Sequence, residues 1–250
     1  MLNTITKTKN KTRARATVQF AREGWGKSTF AVRLAEAAGL KNVFINLDDG
    51  IGDLDALAFP VARSLIDLQG QLVSLGGDAE HDFTMVTIDT IDVVQQLIFD
   101  QVATEAGKNS IAEISYGKGY ELAAEKFSKV LVALDDLRKN KNMQVFILAH
   151  AVSKKAELPG SERFDRWSLR LHDRISLLLT EWADEVLFGT FQEYTKKETG
   201  RGERNIAVGG AERIIHTERA ATYDAKNRLG LDPTIACDPV LYSSFWSAKK

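Results

Sequence analysis

Residues 21–31 read AREGWGKSTFA. A lysine that follows a glycine and precedes two hydroxyl residues is the chemistry of a phosphate-holding loop, whose pattern is G-x-x-x-x-G-K-[ST]. Backbone N–H groups of such a loop, and of the helix it opens, point at phosphate oxygens. Gly24 and Gly26 allow the chain to turn tightly and come close. Lys27 supplies a compact cation for the outer phosphates of a nucleoside triphosphate, and Ser28 a hydroxyl for Mg²⁺. The candidate nucleotide-binding set is Glu23, Gly24, Trp25, Gly26, Lys27, Ser28 and Thr29. Ala21 stands where the pattern has its first glycine, a variant tolerated if its φ is negative.

Such a site needs a carboxylate near the metal, at the end of a neighbouring strand. In MVTIDT, an apolar run leads into Asp89, the candidate Mg²⁺ partner of Ser28. The other reading of Asp89 is a helix N-cap, but Thr90 would serve as well. Asp92, one turn on, is a weaker metal candidate. A second apolar run, NVFINL, ends in Asp48 and Asp49. Asp48 is the candidate for orienting or deprotonating an attacking water; the alternative is a turn built on Asp49-Gly50. A third run, VFILA, ends in His150, either a γ-phosphate sensor at a strand end or a structural histidine.

The elements that would position these groups follow from pattern. Short apolar strands are expected at 17–21, 42–47, 84–90 and 143–150, with helices at 27–40, 65–75, 91–106 and 120–140. Strands alternating with helices imply a mostly parallel sheet covered on both faces. Downstream, a polar loop precedes a helix at 175–183, a long strand at 184–195, a hairpin turn at KKETGRGERN and a strand at 212–218. These antiparallel strands would close the C-terminal side. The expected organisation is a basic arm (1–16) and one core domain (17–250).

Bulk properties set limits. The 250 residues are 44% hydrophobic, enough for one sizeable core. A net charge of −1 gives no global attraction to nucleic acid, so any such contact must come from local patches. One is the arm, where Lys7, Lys9, Lys11, Arg13 and Arg15 alternate; it reads either as a solvated tail or as a DNA-phosphate contact. The single cysteine, Cys237, excludes an internal disulfide and fits a reducing, cytoplasmic setting. No apolar run is long enough for a membrane span, and the basic N-terminus lacks the apolar stretch of a secretory signal.

The order of motifs (phosphate loop, FINLDD, TIDTID, FILAH, then AKNR at 225–228) resembles the RecA-like recombinase ATPases, above all the core-only proteins of that family found in phages. The resemblance spans roughly residues 17–232. It implies an α/β RecA-like P-loop fold, ATP and Mg²⁺ as cofactors, and a role in phage-type recombination or strand annealing. Asp48 takes the place of the water-activating glutamate, one methylene shorter, and Asp89 that of the metal-holding acid. His150 stands where the family has its sensor. The segment after it corresponds to a DNA-binding loop, with Lys154, Lys155, Arg163, Arg166 and Arg170 for phosphates and Trp167 for base stacking; acids in the segment leave a solvated loop as the alternative. Lys108, Lys118 and Tyr116 lie where a first DNA loop would be. Lys226 and Arg228 match residues that reach a neighbouring subunit's γ-phosphate.

The implied partners are single-stranded DNA, further copies of the chain in a ring or helical filament, and a single-strand DNA-binding protein; no membrane is expected. About 16 residues before the first strand and few after 235 leave no room for the accessory domains of the bacterial recombinase, which favours annealing over full strand exchange. Rival readings are a helicase or helicase loader, a small-molecule kinase, and a nucleotide-switched structural protein.

Overall fold

The computed structural model describes residues 13–48, 50–77, 80–157, 160, 162–198 and 204–247. Lys7, Lys9, Lys11 and Asp49 lie outside them, as does the tip of the expected hairpin near residue 201. Among the described residues, nine strands form one sheet. Strand β1 (Ala16–Ala21) is flanked by β5 (Gln144–Ala156) and β7 (Glu185–Glu198), both parallel to it. Outside β5 come β4 (Met85–Asp89), β2 (Asn42–Asn46) and the two-residue edge strand β3 (Leu57–Ala58), all parallel. Outside β7, β8 (Arg204–His216) and β9 (Thr234–Ala236) pair antiparallel. This is the α/β architecture expected of a RecA-like core, with its antiparallel strands on the C-terminal side.

Period-two alternation sends each strand's apolar residues to two cores. Val145, Ile147 and Ala149 of β5 enter the core under α2 (Leu65–Gly76), α3 (Ile91–Glu105), α4 (Lys118–Asn140) and α5 (Asp173–Trp182). Phe146 and Leu148 enter the core under α1 (Lys27–Ala38) and α6 (Pro239–Ser247). Both faces are buried, so these strands read as unbroken apolar runs. Helix α6 carries the C-terminal aromatics, and Tyr242 is fully buried against Phe30.

Local signals set the helix ends. Gly26 and Gly39, both left-handed, bracket α1, and the Gly39 N–H returns to the carbonyls of Ala35 and Glu36. Ser64 caps α2 by accepting from the Asp67 N–H. Thr90 occupies the N-cap of α3 without a side-chain cap bond, and its buried hydroxyl has no partner among the described residues. No helix among the described residues is long and apolar enough to cross a membrane.

Two expectations need correction. The segment after His150 is not an open loop: β5 runs on to Ala156 and pairs antiparallel with β6 (Phe164–Leu169) as a two-stranded ribbon. The boundary of the basic arm also shifts. Ala14 and Ala16 are buried, and Arg13 and Arg15 are docked on Asp184 and Glu185 at 2.5 and 2.7 Å.

Candidate nucleotide-binding site

The phosphate loop lies between β1 and α1, as the sequence implies. Gly24 and Gly26 have φ of 73° and 96°, values that a side chain would strain. Ala21 is absent from the positive-φ residues and ends β1 fully buried, its Cα facing those of His150 and Gly189. Lys27 is 7% exposed, yet among the described residues its Nζ has only two long contacts, 3.4 Å each, to the carbonyls of Ala21 and Arg22. Burial pulls its pKa down, opposed by Asp89 and Asp92. A buried, under-satisfied ammonium beside two left-handed glycines fits an incoming phosphate.

The Trp25 side chain turns away from the loop. Its indole is 1% exposed, packs in the α1-side core and donates from Nε1 to the Thr190 carbonyl at 3.0 Å. Only its backbone is available to phosphates; the ring braces the loop.

Asp89 ends β4 at the start of α1, although β5 separates its strand from β1. Its carboxylate accepts the Ser28 hydroxyl at 2.5 Å. Burial raises the Asp89 carboxyl above the ordinary range, and the Ser28 bond opposes this. Asp48 is exposed; its Oδ1 accepts the Gly50 N–H at 3.1 Å, so the turn is built on Asp48 itself. Glu23, Lys27, Ser28, Asp48, Asp89 and His150 all line one cavity of about 400 Å³. The paired hydroxyl and carboxylate of Ser28 and Asp89 are hard oxygen donors suited to Mg²⁺. No group of three His, Cys, Asp or Glu among the described residues could hold a metal. A cation here would take the rest of its shell from phosphate and water, as Mg²⁺ does.

His150 lies beside Asp92 and Arg170. Asp92 accepts the His150 N–H at 2.9 Å and Arg170 Nε at 3.0 Å. Arg170 Nη2 lies 2.8 Å from His150 Nδ1, which makes Nδ1 the acceptor. Burial alone would raise the Asp92 carboxyl; the hydrogen bond from the His150 backbone N–H and the charge of Arg170 oppose it, and the carboxyl is held low. Asp92 is thus the anchor of this corner. Its periodic place on a helix concealed that from sequence reasoning.

A second cavity of about 560 Å³ adjoins the first across Gly26 and Thr29, lined also by Phe30, Arg33, Arg213 and Cys237. Arg213 lies over the Phe191 ring, its Cζ 5.8 Å from the centroid. Sequence reasoning missed Arg213, because an arginine in the charged and apolar mix of β8 carries no spacing signal.

The remaining candidates lie elsewhere. Lys226 Nζ donates to the carbonyls of Thr180, Glu181 and Ala183 at 2.9, 2.9 and 2.6 Å, capping the C-terminal end of α5. Within its own chain it is held by these three bonds. Arg228 Nη1 bonds Asp184 Oδ1 at 3.0 Å, with half its side chain exposed. Asp184 stands beside Ala16, so Arg228 lies at the opposite end of β1 from the phosphate loop.

The DNA candidates sit on or near the ribbon, and each cation has an acid partner: Lys154 with Asp173, Lys155 with Asp165, Arg163 with Glu157 and Arg166 with Asp224. Trp167 packs on Phe188, with Arg22 over its ring at 5.8 Å, so it is not a free stacking platform. Arg170 turns into the nucleotide corner. Tyr116, by contrast, is fully exposed at a φ of 58°.

A phosphate loop, a hydroxyl–carboxylate pair and a strand-end histidine on this mostly parallel sheet make up a P-loop nucleotide site. The chain belongs to the AAA domain family, whose profile matches residues 13–229. Among solved structures it is similar to the RadB recombinase, with 12% identity, a TM-score of 0.48, and coverage of 91% of this chain and 90% of that one. No curated protein matches it.

Proposed function

We propose that this chain is an ATP-dependent single-stranded DNA-binding protein of phage-type recombination or strand annealing, acting in the cytoplasm of the host cell. The observation that supports this reading best is the root of the β5–β6 ribbon. Its first and last residues, His150 and Arg170, flank the phosphate cavity, and the Arg170 N–H donates to the His150 carbonyl at 2.8 Å. A nucleotide-dependent shift at that corner would be carried directly into the ribbon and its cations.

ATP would lie with its phosphates on residues 23–29 and its nucleoside toward the cavity lined by Phe30 and Arg213. Ser28 and Asp89 would hold Mg²⁺, which supplies charge neutralisation for the transferred phosphoryl group. Asp48 would orient the attacking water, and His150 would register the outer phosphate. Arg228 is too far from its own site to serve it. It would complete the site of a second copy stacked head to tail, the heterologous contact that builds rings or filaments.

ATP turnover with and without single-stranded DNA tests the reading. Stimulation by the strand is expected, with binding that weakens as salt rises. No strand binding at low salt, in either nucleotide state, overturns it. Turnover indifferent to DNA and to Arg228→Ala points instead to a small-molecule kinase, and unwinding of a forked duplex to a helicase.

A further inference from the structure

Arg170 joins three parts of the molecule: α3, the phosphate loop and the root of the ribbon. Its Nε bonds Asp92 of α3, whose side chain is 8% exposed; its Nη1 bonds Glu23 of the phosphate loop at 2.9 Å; its Nη2 meets His150; and its backbone closes the ribbon. These contacts are unequal. In the Asp92 pair the carboxylate is buried and also holds the His150 N–H. The Glu23 pair is an exposed ion pair, with side chains 48% and 62% exposed, and such pairs hold weakly.

The cavity beside it is rich in acid. Glu23, Asp48, Asp53 and Asp89 line it, with Lys27 the cation among the lining residues. A triphosphate brings further negative charge, and a guanidinium already within reach of two lining residues, Glu23 and His150, is the natural counter-charge. Arg22, next to Glu23, meanwhile lies on Trp167 of the ribbon. The loop and the ribbon are therefore joined twice, by Arg22–Trp167 and Glu23–Arg170.

We propose that Arg170 distinguishes ATP from ADP: pivoting on Asp92, its guanidinium leaves Glu23 for the γ-phosphate, and this exchange releases one of the two ties between the phosphate loop and the ribbon. The inference rests on reading the cavity as an ATP site. It assigns Arg170 to nucleotide discrimination within its own chain, separate from the role proposed for Arg228 on a second copy.

The test is equilibrium binding of ADP and of the non-hydrolysable β,γ-imido analogue of ATP to the full chain and to its Arg170→Ala and Glu23→Gln variants. Arg170→Ala is expected to lower the analogue-to-ADP affinity ratio by about tenfold, the loss of one charge-assisted phosphate contact. Glu23→Gln, which removes the competing carboxylate, is expected to raise the same ratio by roughly threefold, a gain no folding defect produces. Trp167 emission is expected to shift with the analogue and not with ADP, read against Trp167→Phe. Ratios equal to wild type in both variants overturn the proposal. So does an equal loss of both nucleotides in Arg170→Ala, which would mean that Arg170 only holds Asp92 and His150. Loss of oligonucleotide binding at an unchanged ratio would make it a DNA ligand and also overturns it. A wild-type chain that binds neither nucleotide overturns the ATP-site reading itself.

Discussion

The indole of Trp25 lies directly on Gly189. A Cβ added at Gly189 would stand 2.7 Å from the ring, closer than real side chains come. The phosphate loop is thereby propped from beneath by β7, a strand more than 160 residues further along the chain. Gly189→Ala must displace either the ring or the strand. A loss of about 1–3 kcal/mol in stability is expected from such overpacking, with weaker ATP binding because Trp25 carries Gly24 and Gly26 with it. Chemical denaturation and nucleotide titration of the same variant check both.

Asp184 gathers three guanidinium groups. Its carboxylate, 1% exposed, bonds Arg13, Arg138 and Arg228 and accepts the Ala16 N–H. Arg138 is itself buried, so Asp184→Ala leaves its cation in the interior without this partner. A loss of about 3–5 kcal/mol is expected, as for other broken buried pairs. Arg13→Ala removes only a half-exposed arm of the cluster and should change stability by about 1 kcal/mol or less. Urea unfolding of the two variants compares them.

Lys226 and Arg228 are two residues apart but should behave differently. Lys226→Ala loses the cap of α5, an expected stability decrease of about 1–2 kcal/mol, while turnover per folded molecule persists. Arg228→Ala should remain folded and lose turnover. Mixing Arg228→Ala with Lys27→Ala should restore activity, because the second variant donates Arg228 to the intact site of the first. Steady-state ATPase assays on the mixtures measure this, and no recovery at any ratio would exclude a contribution in trans.

Asp89 gives stability a pH dependence in the metal-free chain. Its carboxyl is raised by burial, so the folded state holds that proton more tightly than the unfolded chain does. The unfavourable contribution is absent below the ordinary carboxylate range, grows as pH rises towards the raised value, and is complete above it. Asp89→Asn removes this dependence and should be the more stable form at neutral pH without metal. Adding Mg²⁺ with ATP should reverse the order, since only the carboxylate gains from the cation. Thermal unfolding at several pH values, with and without Mg²⁺ and ATP, follows both effects.

Much of the fold was legible because its parallel strands are buried on both faces. NVFIN, MVTID and QVFILA are near-continuous apolar runs that end in the acids and the histidine of the site. Gly24 and Gly26 were legible for a local reason: their positive φ values demand glycine. The ribbon was not legible, because AVSKKA and FDRWSL are polar, and their pairing comes from ladder bonds that any side chain permits. The bracing role of the Trp25 ring was not legible for the reverse reason. Its neighbours in sequence are phosphate-loop residues, and its neighbours in space are Gly189 and Thr190.

The sequence by itself determined the chemistry of the phosphate loop and the series of strand ends that face it, since local backbone demands and apolar periodicity act over a few residues. The tertiary structure decided which charges are available. Lys226 ends on three carbonyls, the ribbon cations on acids, and Arg170 on Glu23 and Asp92. Those partners lie from 6 to 147 residues away along the chain. A charged side chain takes whichever partner the fold brings within reach, and spacing along the sequence does not encode it.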